Sequence, residues 1–236
     1  INVEYDEVTL KAPDVEPLIA EDLENVSKDK PPRVGVSVDA DISMENAGIW
    51  TDLPMGARLW TLKVRVPGAK ALSVEFDDFY LCEGSKLFFY NENRKQLLGS
   101  FTSENNLENR SFSTACIQGE CVYIEYYEPA YKKVGSADKT VFHIFSVGYF
   151  YRDFAMLKPY KDTPTRNVQD SDDCEVDINC SPVGDNWQDE KRGVAQITFL
   201  SVDEDTGRDA WFLCTGSLVN NTNNDATPYF LTAFHC

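Results

Sequence analysis

Short runs with a period of two fill most of this chain, and they constrain its fold more than any other feature. The run RLWTLKVRV ends at Pro67-Gly68, and LSVEFDDFYL ends near Glu83-Gly84. Alternation of this kind places successive side chains on opposite faces of a strand, and turn signals about every 8–12 residues are typical of sandwiches and barrels. The sequence therefore predicts an all-β fold, with a β-sandwich over residues 36–152. Further strand-like runs are KLFFYN, QLLGSFT, CVYIEYYEP and TVFHIFSVGYFY.

The segments on either side of the predicted sandwich have a different composition. Residues 1–35 are acidic and contain several prolines, which indicates an N-terminal arm; its PLIAEDLEN segment fits a short helix or a continuation of the arm. Residues 153–173 are rich in Pro, Asp and Ser and are predicted to be an exposed linker. Strand patterning returns in residues 174–236, where GVAQITFLSV and AWFLCTGSLV predict a hairpin with Gly207 in its turn.

The charge of the chain argues against two classes of partner. It has 22 basic and 39 acidic residues, a formal net charge of -17. Such a surface repels phosphate backbones and anionic lipid, so we expect no binding to nucleic acid or to a membrane surface. No window approaches the ~18 consecutive apolar residues of a membrane-spanning helix, so we expect no membrane span.

The cysteines indicate an oxidising compartment. Seven are present, and Cys116 and Cys121 bracket a glycine, so they could close a hairpin. The only histidines are His143 and His235, and no CxxC pair occurs, so we expect neither a metal nor a cofactor. We predict a secreted, cell-surface or periplasmic protein. The odd count leaves at least one cysteine without a partner in this sequence, and the residues alone assign no partners to Cys82, Cys174 and Cys180.

The last part of the chain resembles a known family. CTGSLVNNT at 214–222, a polar loop and FLTAFHC at 230–236 resemble the start of the trypsin-like serine peptidases. CEVDINC at 174–180 and RGVAQITF at 192–199 narrow the resemblance to the bacterial lysyl endopeptidase branch of that family. A looser similarity to the amino-terminal region of those precursors, including EYYEP at 125–129, extends into the predicted sandwich.

The resemblance implies roles for particular residues. His235 would be the general base, and Cys236 would bond back to Cys214 to support the loop that presents it. The preceding β-sandwich would be a prodomain that acts as intramolecular chaperone and inhibitor until the linker is cut. Lys161 and Arg166 in the polar linker are the candidate cleavage points, since a protease binds an extended, exposed backbone. The expected partners are protein or peptide substrates.

The sequence also departs from the family's pattern. A serine peptidase needs a nucleophilic serine and an orienting carboxylate besides the base, and the resemblance places both after the histidine. No Gly-Asp-Ser-Gly segment occurs in these 236 residues. We therefore expect residues 174–236 to be the first strands of a truncated chymotrypsin-like barrel, in an inactive fragment of a zymogen. One alternative is a secreted β-sandwich binding or adhesion module with a degenerate peptidase segment; another is a remnant that inhibits its parent enzyme.

Overall fold

The structure is a computed structural model that describes residues 3–24, 30–130, 139–152 and 178–236. The internal contacts of the chain divide it into two units, so each is described separately. Unit 1 comprises residues 1–16 and 35–160, and unit 2 comprises residues 17–34 and 161–236. The helices of the described residues are α1 (Val15–Glu24) and α2 (Gln188–Lys191). The strands are β1 (Asp6–Thr9), β2 (Arg33–Ser43), β3 (Ile49–Asp52), β4 (Arg58–Arg65), β5 (Ala71–Tyr80), β6 (Lys86–Asn91), β7 (Leu97–Phe101), β8 (Phe112–Ser113), β9 (Ile117–Gln118), β10 (Cys121–Glu128), β11 (Val141–Phe150), β12 (Val194–Val202), β13 (Asp209–Val219) and β14 (Tyr229–Thr232).

Unit 1 consists of two sheets. The first has the strand order β1-β4-β10-β6-β7, with β3 also paired to β4. The second has β11 between β2 and β5, with the short strands β8 and β9 paired to β5. Every pair is antiparallel except β1 with β4, which is parallel. Because β1 lies in the acidic N-terminal segment, part of the predicted arm belongs to this sandwich.

Aromatic side chains form the core between the two sheets. Trp60 of β4 contacts Phe142 of β11 with ring centroids 5.2 Å apart, and its indole N–H donates to the carbonyl of Ala47 at 2.9 Å. Phe76 of β5 reaches Phe89 of β6 at 6.2 Å. These contacts join strands of different sheets, and the alternating residues of each strand supply them. The bulky side chains with almost no solvent exposure include Trp60, Tyr126, Phe76, Phe79, Phe89, Phe142 and Phe150.

Strands β12, β13 and β14 of unit 2 pair antiparallel, and the start of β2 is the other neighbour of β13 in the sheet. β12 pairs with β13 from Val194↔Ser217 to Val202↔Asp209, and β14 pairs with the last part of β13. Gly207 lies in the β12–β13 turn with φ +66°, a left-handed conformation that favours glycine. The predicted hairpin is therefore confirmed, and so is the all-β fold class. None of the helices in the described ranges is long and apolar enough to cross a membrane.

The N-terminal segment differs from the single arm that we predicted. Residues 1–16 belong to unit 1, whereas residues 17–34 belong to unit 2. The PLIAEDLEN segment lies in α1 through Glu24, and the side chain of Asp14 accepts a hydrogen bond from the amide of Glu16 at 3.3 Å. An aspartate at this place caps the free amides of a first turn. The predicted linker, residues 153–173, lies outside the described residues.

The disulfide expected between Cys116 and Cys121 is not formed. Both residues are buried thiols rather than disulfide partners. The reason is topological, because β9 pairs with β5 in one sheet and β10 pairs with β4 and β6 in the other. The Gly119 turn thus carries the chain from one sheet to the other and does not close a hairpin.

Candidate active site

The segment that carries His235 is positioned by strand β13. β14 pairs with β13 through Gly216↔Thr232 and Val219↔Tyr229. A Cβ at Gly216 would lie 2.3 Å from the ring of Phe230 and 2.8 Å from the carbonyl of Leu231, closer than side-chain carbons approach. Only glycine therefore lets β14 lie this close to β13.

A short turn follows β14 and contains His235. The hydroxyl of Thr232 donates to the carbonyl of Thr215 at 2.9 Å, which fixes the end of β14 on β13. The amide of Cys236 donates to the carbonyl of Ala233 at 3.1 Å and closes the turn. These two bonds hold the backbone on both sides of the histidine.

A disulfide reinforces this turn. Cys214 of β13 is bonded to Cys236, with 6.0 Å between their Cα atoms and a sequence separation of 22. Cys214 is buried and Cys236 is half-buried. The link implied by the family resemblance is thus present, and it ties the residue after His235 to the central strand of the sheet.

The imidazole of His235 itself is exposed. Within the described ranges, no side chain donates to or accepts a hydrogen bond from it. The neighbouring Phe234 is also exposed. A general base acts on a group within hydrogen-bond reach, and in a catalytic triad a carboxylate orients it. Among the described residues, the backbone at His235 is held in place, but neither a nucleophile nor an orienting carboxylate is hydrogen-bonded to its imidazole.

Cys214, His235 and Cys236 could be mistaken for a metal site. Their potential ligand atoms lie within 4.8 Å of one another. Cysteine binds a metal as the thiolate, however, and both sulfurs are consumed by the disulfide. The cluster therefore offers one imidazole nitrogen and no metal-binding set while the disulfide is intact.

The other candidate residues belong to other parts of the sequence, some of them outside the described ranges. Lys161, Arg166 and Cys174 are among the residues that the structure does not describe. Cys180 is half-buried and is not part of a disulfide. Cys82 is buried in unit 1, with its sulfur 3.9 Å from the hydroxyl of Tyr126. This contact makes Cys82 part of the core of unit 1.

The second histidine lies in a charged cluster that the sequence pattern did not reveal. His143 of β11 has its Nδ1 2.6 Å from Oδ1 of Asp77 and its Nε2 3.0 Å from Oδ1 of Asp41. The two aspartates belong to β5 and β2, the strands on either side of β11. The hydrogen bond to Asp77 raises the pKa of His143 most, burial lowers it by less, and the hydrogen bond to Asp41 raises it further.

This cluster predicts a pH-dependent stability. Because the pKa is higher in the folded state, His143 stabilises unit 1 fully below its unfolded pKa of about 6.5 and loses that contribution as pH rises through the folded value. We expect wild type to exceed His143→Gln in urea midpoint at about pH 6 and the difference to shrink at higher pH. A difference that is constant with pH would contradict this.

A cavity of about 290 Å³ lies beside His143 in unit 1. Two of its charged side chains are paired with each other: the Arg58 guanidinium lies 2.8 Å from Glu128, and it also lies 4.3 Å from the centre of the Trp50 ring. Ligand pockets usually begin at about 300 Å³. The cavity lies just below that range, and its lining includes no residue of the His235 turn.

Comparison with known proteins supports the relationship inferred for the second part of the chain. Residues 168–236, which are 69 of the 236, match the family model of the lysyl endopeptidase C-terminal domain. This range contains β12, β13, β14, the disulfide and His235. This region is therefore lysyl endopeptidase-like, which indicates a peptidase-related protein. No solved structure matches the chain.

Proposed function

We propose that this chain is the N-terminal portion of a secreted serine endopeptidase precursor, in which His235 is the general base. The observation that carries the proposal is the coincidence of two independent features in residues 168–236. The family match covers this range, and within it a disulfide and a strand pair fix the turn that contains His235.

The chemistry follows from the position of the imidazole. A neutral histidine accepts the proton of a serine hydroxyl as the oxygen attacks a peptide carbonyl, and returns it to the leaving amine. An exposed imidazole on a fixed backbone has room for both a nucleophile and a substrate to approach. The family resemblance places the serine and the orienting aspartate after the histidine, so function is tested in the full-length precursor.

The β-sandwich is proposed to be the prodomain, and residues 153–173 the linker at which it is removed. The protein would act outside the cytosol, since the Cys214–Cys236 disulfide persists in oxidising compartments. Cleavage of substrates after lysine or arginine is what the lysyl endopeptidase relationship favours.

The proposal is tested by following activation of the full-length precursor. We expect little hydrolysis of peptide amides by the intact precursor and strong hydrolysis after a cut at Lys161 or Arg166, identified by sequencing the new amino terminus. A variant with both residues replaced by alanine should stay uncut and inactive, whereas Lys158→Ala, also in this region, should behave as wild type. Full activity without cleavage contradicts latency, and no activity under any condition contradicts the peptidase assignment.

A further inference from the structure

Unit 2 contains a piece of chain from near the amino terminus. Residues 17–34 are grouped with residues 161–236, although more than a hundred residues of unit 1 lie between them in sequence. The described part of this segment consists of α1 from Pro17 onward, residues 30–32, and the first two residues of β2. The segment therefore belongs by its contacts to the lysyl endopeptidase-like region and by its sequence to the proposed prodomain.

A buried guanidinium makes the central contact. The side chain of Arg33 is 7% exposed, and it lies 2.8 Å from Asp22 and 3.0 Å from Glu21, both on α1. Its third carboxylate partner is Asp203, at 3.1 Å, in the turn between β12 and β13. One further N–H donates to the carbonyl of Leu18 at 3.0 Å. Arg33 thus joins the N-terminal segment to the hairpin of the peptidase-like region through a hydrogen-bonded, desolvated charge cluster.

The turn that supplies Asp203 is itself ordered by its backbone. The amide of Asp203 donates to the carbonyl of Arg208 at 2.8 Å, and the Asp203 side chain accepts from the amide of Asp205 at 3.1 Å. Asp205 in turn pairs with Lys30 at 3.0 Å, with about half of both side chains exposed. Removal of one partner of the buried Arg33–Asp203 pair is the more disruptive change, because it leaves a buried charge unpaired, whereas an exposed ion pair contributes little.

The segment also pairs with the sheet near the candidate base. The amide of Leu213 in β13 donates to the carbonyl of Pro32 at 3.0 Å. β12 occupies the opposite edge of β13, so the start of β2 lies on the edge to which β14 is also paired. The next residue, Cys214, carries the disulfide to Cys236 beside His235. The segment therefore covers a strand edge of the kind on which extended peptides bind by adding a strand.

We propose that residues 17–34 are a docking segment that keeps the N-terminal part of the chain bound to the peptidase-like region after the linker between them is cut. This segment would be the contact that retains the prodomain. The inference rests on the proposed function only in taking the linker as the place of cleavage. Release of the prodomain then requires two events: cleavage of the linker and disruption of the contacts in the Arg33 cluster.

The test uses the whole chain and does not depend on peptidase activity. The recognition sequence of a site-specific protease replaces residues 161–166, the purified chain is cut, and the two pieces are passed through a sizing column. We expect them to elute together. Separation of the wild-type pieces at micromolar concentration would overturn the proposal.

Substitutions then assign the binding to the cluster. Arg33→Met leaves three carboxylates facing one another without a cation, so we expect the dissociation constant of the cut complex to rise about 100-fold. Asp203→Asn keeps the shape of the turn and should raise the dissociation constant about tenfold. This variant replaces Arg33→Met in the test if Arg33→Met fails to fold. Arg192→Met, which removes an exposed arginine that lies 3.4 Å from Asp189, is the matched control and should have no effect. Equal affinities for all variants would overturn the role of the cluster, whatever the outcome of the activity assays.

Discussion

Replacing His235 by glutamine in the full-length precursor is expected to lower kcat for peptide hydrolysis by about 10⁴- to 10⁶-fold after activation. Glutamine has a similar length and is neutral, but it cannot take the serine proton in the first step or return it to the leaving group. The Cys214–Cys236 disulfide and the pairing of β14 with β13 do not involve the imidazole, so the turn should keep its structure. Steady-state hydrolysis of a peptide amide measures the effect.

The chain offers a matched control for this substitution. His143→Gln removes the other histidine of these 236 residues, which lies in unit 1 between Asp41 and Asp77. Its kcat per correctly folded molecule should equal that of wild type. Because the control can lower stability, rates are normalised to the amount of activated, folded enzyme. A His235→Gln enzyme with wild-type turnover would refute the assignment of the base.

The second large effect is expected in the core of unit 1. Phe76→Ala should lower the free energy of unfolding by about 3–5 kcal/mol and the melting temperature by about 10 °C. Phe76 is 2% exposed, and its ring contacts those of Phe79, Phe112 and Phe142 at 5.3, 5.8 and 5.9 Å. Truncation removes apolar area and leaves a cavity bounded by rings that cannot all collapse inward.

Urea denaturation followed by tryptophan fluorescence measures this change, since Trp60 lies in the same core. Phe145→Ala is the matched control, because Phe145 is also in a strand of unit 1 but is 36% exposed. We expect it to change stability by less than about 1 kcal/mol. Equal losses of unfolding free energy for the two variants would contradict the prediction that burial of Phe76 in the core stabilises the sandwich.

The strands could be predicted from the sequence because their cause is local. The alternation in RLWTLKVRV and LSVEFDDFYL reflects one face packed on the core, and β4 and β5 follow these runs within a residue or so. Gly207 marked the β12–β13 turn for the same reason. Which sheet a short strand joins is not a local property, so the sequence did not show that β9 and β10 lie in different sheets. The expected Cys116–Cys121 disulfide was wrong for that reason.

The contacts of the charged residues could not be predicted from the sequence pattern. Arg33 and Asp203 are separated by 170 residues, and His143 and Asp41 by 102. Nothing near Arg33 in sequence distinguishes it from a solvated arginine. At the candidate site, the family resemblance predicted the pairing of Cys214 with Cys236, which the residues alone left open. The exposure of His235 and its lack of hydrogen-bond partners among the described residues became visible only in the structure.

The placement of residues 17–34 in unit 2 has a consequence for the order of synthesis. Helix α1 and the start of β2 are made early, but Asp203 and Leu213 are made some 170 residues later. Domains fold as their residues emerge, and contacts between distant residues form late. The sandwich can thus fold before residues 17–34 have made their contacts with Asp203 and Leu213. Residues 17–34 would be translated early and would be among the last to reach their final contacts, and chains interrupted before residue 203 would present an uncovered Arg33 and α1 to chaperones and proteases.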